Sequence, residues 1–461
     1  MVPTRSIPQG NCLKPGEMPM AIESIRFSVI IGAYQTAAWY FKESLESAKA
    51  LEWRNMEIQV LDACPEAGLG NITRSVMKDD YRLKYVKLRP KNSLADVWNE
   101  GIRRAQGDYL IFVGLTDKLN TMILKYLSDF IGEHPECDII YTDHDEIKDA
   151  CRMNPYFLPD FNKELLLGQN YIGDTFIVKR DSIRRLGLFR KELSFAFAYD
   201  FFIRAMQRKA RFGHIAALLW HNVAPDSPVN DELLSLRDRS IREHMTVVSA
   251  YLNENGIRGK VERTKNDSWS VRYDGSDYRS HMSSVLLIKD KGVHVTTRNA
   301  AEKLYGYVSQ PDIAVAGGKF ISGLSVNNCG YIYDQEGITY PACRGENPLS
   351  PGLYGRIRTA SDVSMVDFSF CMVDASFFKK CGGFDKRLRG NDMILDLCLK
   401  ARAGGLRVVY VPKVTAHRSR TDEGGDENSR SVLREKWKRT ITAGDPFYNR
   451  NLPAGIKNYY L

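Results

Sequence analysis

FSVIIGAY (Phe27–Tyr34) and MEIQVLD (Met56–Asp62), with the helical-period stretch QTAAWYFKESLESAKAL (35–51) between them, decide the fold class of this chain. Each flanking stretch is a short apolar run containing β-branched residues, the mark of a buried strand. The order repeats outward. A helix near 70–79 leads to LKYVKL (83–88), SLADVWNEGIRRAQ (93–106) to DYLIFVG (108–114), and TMILKYLSDFIGEH (121–134) to CDIIYTD (137–143). Strands and helices alternating at this spacing predict βαβ units and a mostly parallel sheet covered on both faces. Such sheets bind ligands outside the carboxyl ends of their strands. The residues in question are Tyr34, Asp62, Leu88 to Pro90, Gly114 to Asp117 and Asp143 to Asp145.

Further on, IGDTFIVKR (172–180) reads as a strand, AYDFFIRAMQRK (198–209) as a helix, and ARFGHIAALLWHN (210–222) as a strand ending in Trp220 and His221. An amphipathic helix over 231–256 closes the first unit. Residues 257–280 are polar and broken by Gly, Asp and Ser, which predicts a linker. The remainder, 281–461, holds SSVLLI, TTRNAAEKLYGYVSQ and the turn-rich GGKFISGLSVNNCGYIYDQEG. It has too few strands for a full nucleotide-binding sheet and is expected to pack against the first unit.

The 461 residues are 43% hydrophobic and 26% charged, and single cores stop growing near roughly 250–300 residues, so two domains are expected. The net charge of +9 comes from 65 basic and 56 acidic residues. They are spread without a Lys/Arg run, which argues against nucleic acid as a partner and suits an anionic one, such as a nucleoside diphosphate or an acidic membrane surface. Nine cysteines without a CxxC spacing suggest reduced thiols and a cytoplasmic location. The polar leader (1–25) lacks the apolar stretch of a signal peptide, and no run of about 20 apolar residues suggests a membrane span. Peripheral attachment at the inner face of the cell membrane stays open.

Taken in register, these stretches resemble the family 2 glycosyltransferases of bacterial cell-surface polysaccharide synthesis, particularly a subgroup with two modules in tandem. SVIIGAY resembles that family's first strand, VLDAC the acidic turn after the second, and WNEGIRRAQGDYLIFV the helix and strand leading to the metal motif. CDIIYTDHDEI, FLPDFNKELLLGQNYIGDTFIVKRD and LLWHN continue the match. PDIAVAGGKF, CGGFD, DLCLKARAGGLRVVYVP, AHRSR and DPFYNRNL resemble the later half of the second tandem module. The resemblance covers most of 26–452. It implies an α/β, GT-A fold with a Rossmann-like, mixed but mostly parallel sheet over 26–256, then an incomplete second GT-A-like module over 281–461.

A nucleotide-sugar site needs carboxylates to hold a divalent cation on the diphosphate and a base to deprotonate the acceptor hydroxyl. The nucleotide-binding set implied by the resemblance is Ala33, Tyr34, Asp62, Asn99 and Asp117, with Asp62 accepting the uracil imide hydrogen. At the family's DxD turn the chain reads Gly114-Leu115-Thr116, and only Asp117 follows one step later. The acidic pair opening the later helix is Phe197-Ala198-Tyr199-Asp200, so Ala198 stands at the base position. His221 occupies the place of the family's late histidine. Asp117 and His221 are therefore the metal candidates, and Asp145 and Asp200 the catalytic ones. The second unit reads Ile288-Lys289-Asp290 and Met393-Ile394-Leu395-Asp396 at these positions, and no donor site is expected there.

Structural roles compete with each of these. Asp62 suits a turn or helix cap, Asp143 and Asp145 a structural or acceptor-side role, and Asp200 and Asp396 the capping of helices. His221 and His417 suit hydrogen-bonded turns. The segment 429–441, SRSVLREKWKRTI, fits either an anionic membrane surface or a helix covering the core. Two functions follow. One is a transferase using a nucleotide-diphosphate sugar, UDP-type favoured, with Mg²⁺ or Mn²⁺ and a glycan or lipid-linked acceptor. The other is a non-catalytic protein that binds glycan or nucleotide, or scaffolds a partner glycosyltransferase. The losses at 114–116 and Ala198 favour the second, the retained Asp62 and His221 the first, and metal dependence is expected to be weak or absent.

Overall fold

The computed structural model describes residues 24–34, 38–64, 68–78, 80–89, 93–114, 116–148, 151–223, 231–264, 268–352, 355–418 and 426–453. Most of the leader, Pro90 and Leu115 lie outside them. The alternating stretches form one nine-stranded sheet. Its strands are β1 (Phe27–Ala33), β2 (Met56–Asp62), β3 (Leu83–Lys87), β4 (Tyr109–Val113), β5 (Asp117–Leu119), β6 (Ile139–Lys148), β7 (Cys151–Tyr156), β8 (Phe176–Lys179) and β9 (Phe212–Val223). Their order is 3-2-1-4-8-6-9-5, with β7 on β6. β3, β2, β1 and β4 run parallel, as do β6 and β9, while β8 enters antiparallel between β4 and β6. Every residue of β1 and β2 is buried, as expected of parallel strands covered on both faces, including the polar Ser28, Glu57, Gln59 and Asp62. Trp98 packs beneath β1 so closely that a Cβ at Gly32 would meet its Nε1 at 2.6 Å.

The second sheet has seven strands and orders Val285–Lys289, Phe370–Asp374, Ile313–Ser322, Arg407–Arg418 and Val293–Val295 side by side. Their pairings are antiparallel, antiparallel, parallel and antiparallel. That is the sequence of directions in β4-β8-β6-β9-β5. Ser325–Asn328 flanks Ile313–Ser322 as β7 flanks β6. The second module thus repeats the later half of the first strand by strand. Among the described residues it has no counterpart of β1 to β3, and Val285–Lys289 forms an edge with Leu286 and Leu287 exposed.

In the stretch 257–280, expected as a linker, residues 257–264 and 268–280 are instead packed into the fold. Gly259–Arg263 and Trp269–Tyr273 form an antiparallel hairpin, Trp269 Nε1 donates to Leu167 O at 2.9 Å, and Tyr307 Oη donates to Val271 O at 3.2 Å. One apolar cluster runs through the hairpin, joining Trp98, Phe176 and Tyr199 of the first module to Trp269, Leu304 and Val409. The modules therefore share a core.

The basic segment near 430–441 is accounted for by packing. Leu433 and Ile441 are buried in the second module's core, with Val432 and Trp437 against it. Trp437 Nε1 donates to Asp396 at 2.7 Å, Lys436 pairs with Asp396 at 2.6 Å, and Arg434 pairs with Glu336 at 3.0 Å. Its apolar face covers the protein core and is not presented to a membrane surface.

Candidate functional site

The carboxyl edge of the parallel half gathers the first group of candidates. Ala33 and Asp62 are direct neighbours across β1 and β2, and Ala63 N donates to Ala33 O at 3.1 Å. Tyr34 follows, half-buried. Asp62 is 1% exposed. The Tyr85 hydroxyl donates to its Oδ2 at 2.6 Å, and the Cys64 amide donates to its Oδ1 at 2.8 Å. Burial and then this hydrogen bond push the Tyr85 hydroxyl up to about 12. Each carboxylate oxygen keeps a lone pair, so Asp62 can accept one more N–H.

At the end of β4, where a DxD would be, Gly114 and Asp117 bond to each other. Gly114 N donates to Asp117 Oδ2 at 2.9 Å, and Asp117 N donates to Gly114 O at 3.2 Å. Burial raises the Asp117 carboxyl, with the Gly114 amide opposing. A second carboxylate joins it here. Asp174, open to solvent yet hemmed in by surrounding protein, is raised to about 6, by burial first and by Asp117 second. It precedes β8, and because β8 runs antiparallel to β4 with Ile177 opposite Ile111, the residues leading into β8 lie at the end where β4 finishes. The sequence reading missed Asp174. The acidic residue just before IGDTFIVKR's apolar run was visible, but its place depended on a strand direction that periodicity does not give.

A separate pair forms farther along. His221 Nδ1 lies 2.5 Å from Asp145 Oδ1, and Arg152 Nε donates to Asp145 Oδ2 at 2.6 Å. β6 and β9 bring the two together in direct register. Asp117 stands opposite Asn222, and Lys118 opposite His221. Adjacent strand residues face opposite sides of a sheet, so Asp117 and His221 do not converge on one ion. Among the described residues, no group of three His, Cys, Asp or Glu side chains is placed to hold a metal.

The other candidates are engaged in structure. Asn99 closes a two-way bond with the Phe189 backbone, at 2.9 Å through Nδ2 and 3.0 Å through Oδ1. Asp200 pairs with Arg204 at 2.8 Å and Arg190 at 3.2 Å, and Ala198 is fully buried. Asp200 lies in the first turn of its helix, as expected, but makes no cap hydrogen bond, while Asp396 lies beyond the first turn of helix Gly390–Ala403. The amides of Phe195 and Ala196, leading into helix Phe197–Gln207, donate instead to Glu243 at 2.8 and 3.1 Å, and Asp396 pairs with Lys400 at 3.0 Å. Asp143 accepts from Leu158 N and from Asn449 Nδ2, each at 2.9 Å, and faces His214 Nε2 at the same distance. These partners tie the C-terminal segment to the first module.

Comparison with known proteins follows the same outline. Residues 28–187 match the family described as Glycosyl transferase family 2. Uncharacterized protein y4gI of Sinorhizobium fredii (strain NBRC 101917 / NGR234) is 23% identical over 94% of this chain and 58% of its own length. The O-antigen biosynthesis protein RfbC of Myxococcus xanthus is 23% identical over 53% of this chain and 19% of its own. The chain thus spans 58% and 19% of these two relatives. Among solved structures, S. aureus TarS 1–349 shows 19% identity and a TM-score of 0.41, covering 50% of this chain and 66% of that one. Mannosyltransferase PcManGT from Pyrobaculum calidifontis, in complex with GDP-Man and Mn²⁺, shows 14% identity and a TM-score of 0.39, covering 50% and 64%. The family match covers strands β1 to β8 of the first module, and it is in this part that the chain is similar to a family 2 glycosyltransferase.

Proposed function

We propose that the chain is a glycosyltransferase of bacterial surface-polysaccharide assembly that takes its sugar from a nucleotide-diphosphate donor, UDP-type favoured, and passes it to a glycan or lipid-linked acceptor. The observation that carries this reading is the grouping of Ala33, Tyr34 and Asp62 with Asp117 and Asp174 at one edge of the parallel strands. There Asp62 accepts the imide N–H of the base, and Tyr85 holds its carboxylate in place. Asp117 and Asp174 supply two carboxylates, and Mg²⁺ is commonly held by one or two carboxylates with phosphate oxygens and water completing the shell. The residues therefore fit Mg²⁺ or Mn²⁺ when the diphosphate is present. Such an ion, when bound, neutralises the leaving diphosphate. His221 with Asp145, and Asp200 with its arginines, stay in reserve as bases only if substrate displaces their present partners.

A second reading is favoured by one observation. The base position is Ala198, fully buried, and Asp200 beside it is held by two arginines. On that reading the protein binds nucleotide or glycan, or scaffolds a partner glycosyltransferase, without turnover. Both are tested by following UDP release from a panel of UDP-sugars with Mn²⁺ and with EDTA, beside calorimetric titration of UDP. Release that disappears in Asp117→Asn and Asp174→Asn supports the transferase. Binding without release supports the second reading, and no nucleotide binding under any condition sinks both donor assignments.

A further inference from the structure

In the second module a hairpin brings two cysteines together. Its strands are Tyr331–Tyr333 and Thr339–Pro341. Pairing continues past Tyr331 and Pro341, where Ala342 N donates to Gly330 O at 2.9 Å and Cys329 N donates to Ala342 O at 3.0 Å. Two residues on one side thus meet one on the other, the pattern of a β-bulge, which re-aims a side chain. On the facing side Cys343 takes a left-handed backbone, with a φ of 60°, a conformation that non-glycine residues rarely adopt and that surrounding structure must hold in place. The two thiols end in hydrogen-bond contact, Cys343 Sγ donating to Cys329 Sγ. Thiols already in contact across one hairpin need no large backbone movement to join.

Buried cysteines are ordinarily inert, and these two are 3% and 1% exposed. Their surroundings set them apart from an ordinary core pair. A cavity of about 20 Å³ lies against both sulfurs' residues, enough for a molecule of about the size of water. Arg356 lines it too, as does Asp362, whose carboxylate is engaged by Arg407 and by the Glu164 amide. Burial acts to raise the Cys329 thiol, but its hydrogen bonds with Cys343 and Tyr410 and the charges of Lys319 and Arg356 prevail and lower it. Cys343, as the donor and by burial, is held well above its usual range. The pair is thereby divided into a nucleophile and a partner thiol.

We propose that Cys329 and Cys343 form a redox-active dithiol, which small peroxides entering the cavity convert to a reversible disulfide. The Cys329 thiolate attacks one peroxide oxygen. An S–O bond forms as the O–O bond breaks, and the hydroxide released takes up the proton that the thiol gave up and leaves as water. The Cys343 sulfur then attacks Cys329 Sγ. An S–S bond forms, the S–O bond breaks, and the hydroxyl leaves as a second water with the Cys343 proton. Two thiols lose two electrons in all, and one peroxide gains them. The donor edge plays no part in this chemistry.

Peptide mass mapping of the folded full chain tests the assignment, with the exposed Cys151 as internal standard. Hydrogen peroxide at neutral pH should oxidise Cys329 about tenfold faster than Cys151. Cleavage after Glu336, which lies between the two cysteines, should then release peptides joined through Cys329 and Cys343, and dithiothreitol should return both thiols. A bulky aromatic disulfide, too large for the cavity, should reverse the order and take Cys151 first. In Cys343→Ser, shown to be folded by its melting curve, oxidation should stop at a Cys329 sulfenic acid that dimedone traps. Peroxide that oxidises Cys151 while Cys329 and Cys343 stay reduced overturns the proposal. So do joined peptides that form only after guanidinium unfolds the chain, and so does a folded Cys343→Ser without dimedone on Cys329. The first two outcomes are read on wild type and stand even if the variant does not fold.

Discussion

Arg407 of the second module donates to Glu164 of the first at 2.9 Å, in a junction where Glu164 is 1% exposed. The same guanidinium reaches Asp362 at 2.8 Å and Asp312 at 3.0 Å, and Lys163 supports Asp312 at 2.7 Å. Burial raises the Glu164 carboxyl and Arg407 acts against it, while Arg407 itself is held well above its usual range. Removing the cation leaves buried carboxylates without their partner. Arg407→Ala should cost about 3–5 kcal/mol, read as a lower urea midpoint. A loss below about 1 kcal/mol would assign the junction to its apolar contacts alone.

The junction should also weaken in base. His214 lies between Asp143 and Asp160, at 2.9 and 3.0 Å, and stacks on Tyr141. Burial acts to lower its pKa, but the two carboxylates prevail and raise it. A histidine raised by folding stabilises fully below its unfolded pKa near 6.5, and that contribution is lost as pH climbs through the folded value. Melting temperature should therefore fall from pH 6 to pH 8.5 in wild type and fall less in His214→Gln. Equal slopes would remove His214 from the account.

Residues 281–461 should not fold alone. Their sheet begins at the counterpart of β4, and their core is continuous with that of the first module through the 259–273 hairpin. Expressed separately, the segment should be insoluble or melt without a cooperative transition. A sharp transition from a soluble monomer would contradict the shared core.

Nucleotide binding should depend on Asp62. Asp62→Ala removes one charge-assisted acceptor, worth about 1.5–3 kcal/mol, or roughly 10- to 150-fold in UDP affinity. Tyr85→Phe, which loses only the hydroxyl orienting Asp62, should cost less. Calorimetry with Mn²⁺ and with EDTA reports both effects. Affinity unchanged in Asp62→Ala would end its assignment to the base.

How far the sequence spoke depended on range. β1 to β4 and the helices between them announced themselves because a strand buried on both faces and an amphipathic helix each leave a local period. Strand direction leaves none: FIVK reads the same whether β8 runs with β4 or against it, and with that went the position of Asp174. The hairpin over 259–273 looked like a linker because only alternate residues of a few-residue strand are apolar, and Trp269 is buried by Leu167 and Tyr199, far off in sequence. Asp145 and His221 were singled out separately. Their contact follows from β6 and β9 lying side by side across two register shifts, which no local pattern encodes. Asp117 and His221 were grouped by resemblance and separated by the alternation of two short paired strands.

The edge strand Val285–Lys289, with Leu286 and Leu287 outward, gives the order of the modules along the chain a meaning for biosynthesis. Polypeptides leave the ribosome amino end first, and domains generally fold in that order. The complete module, with helix Lys163–Gly168 and the acceptor for Arg407, is in place before the half-module is finished, so the half-module can condense on a ready template. A circular permutant that released 281–461 first would present this bare apolar edge to neighbouring nascent chains, and its yield of soluble protein should drop even though every native contact is still available to the finished molecule.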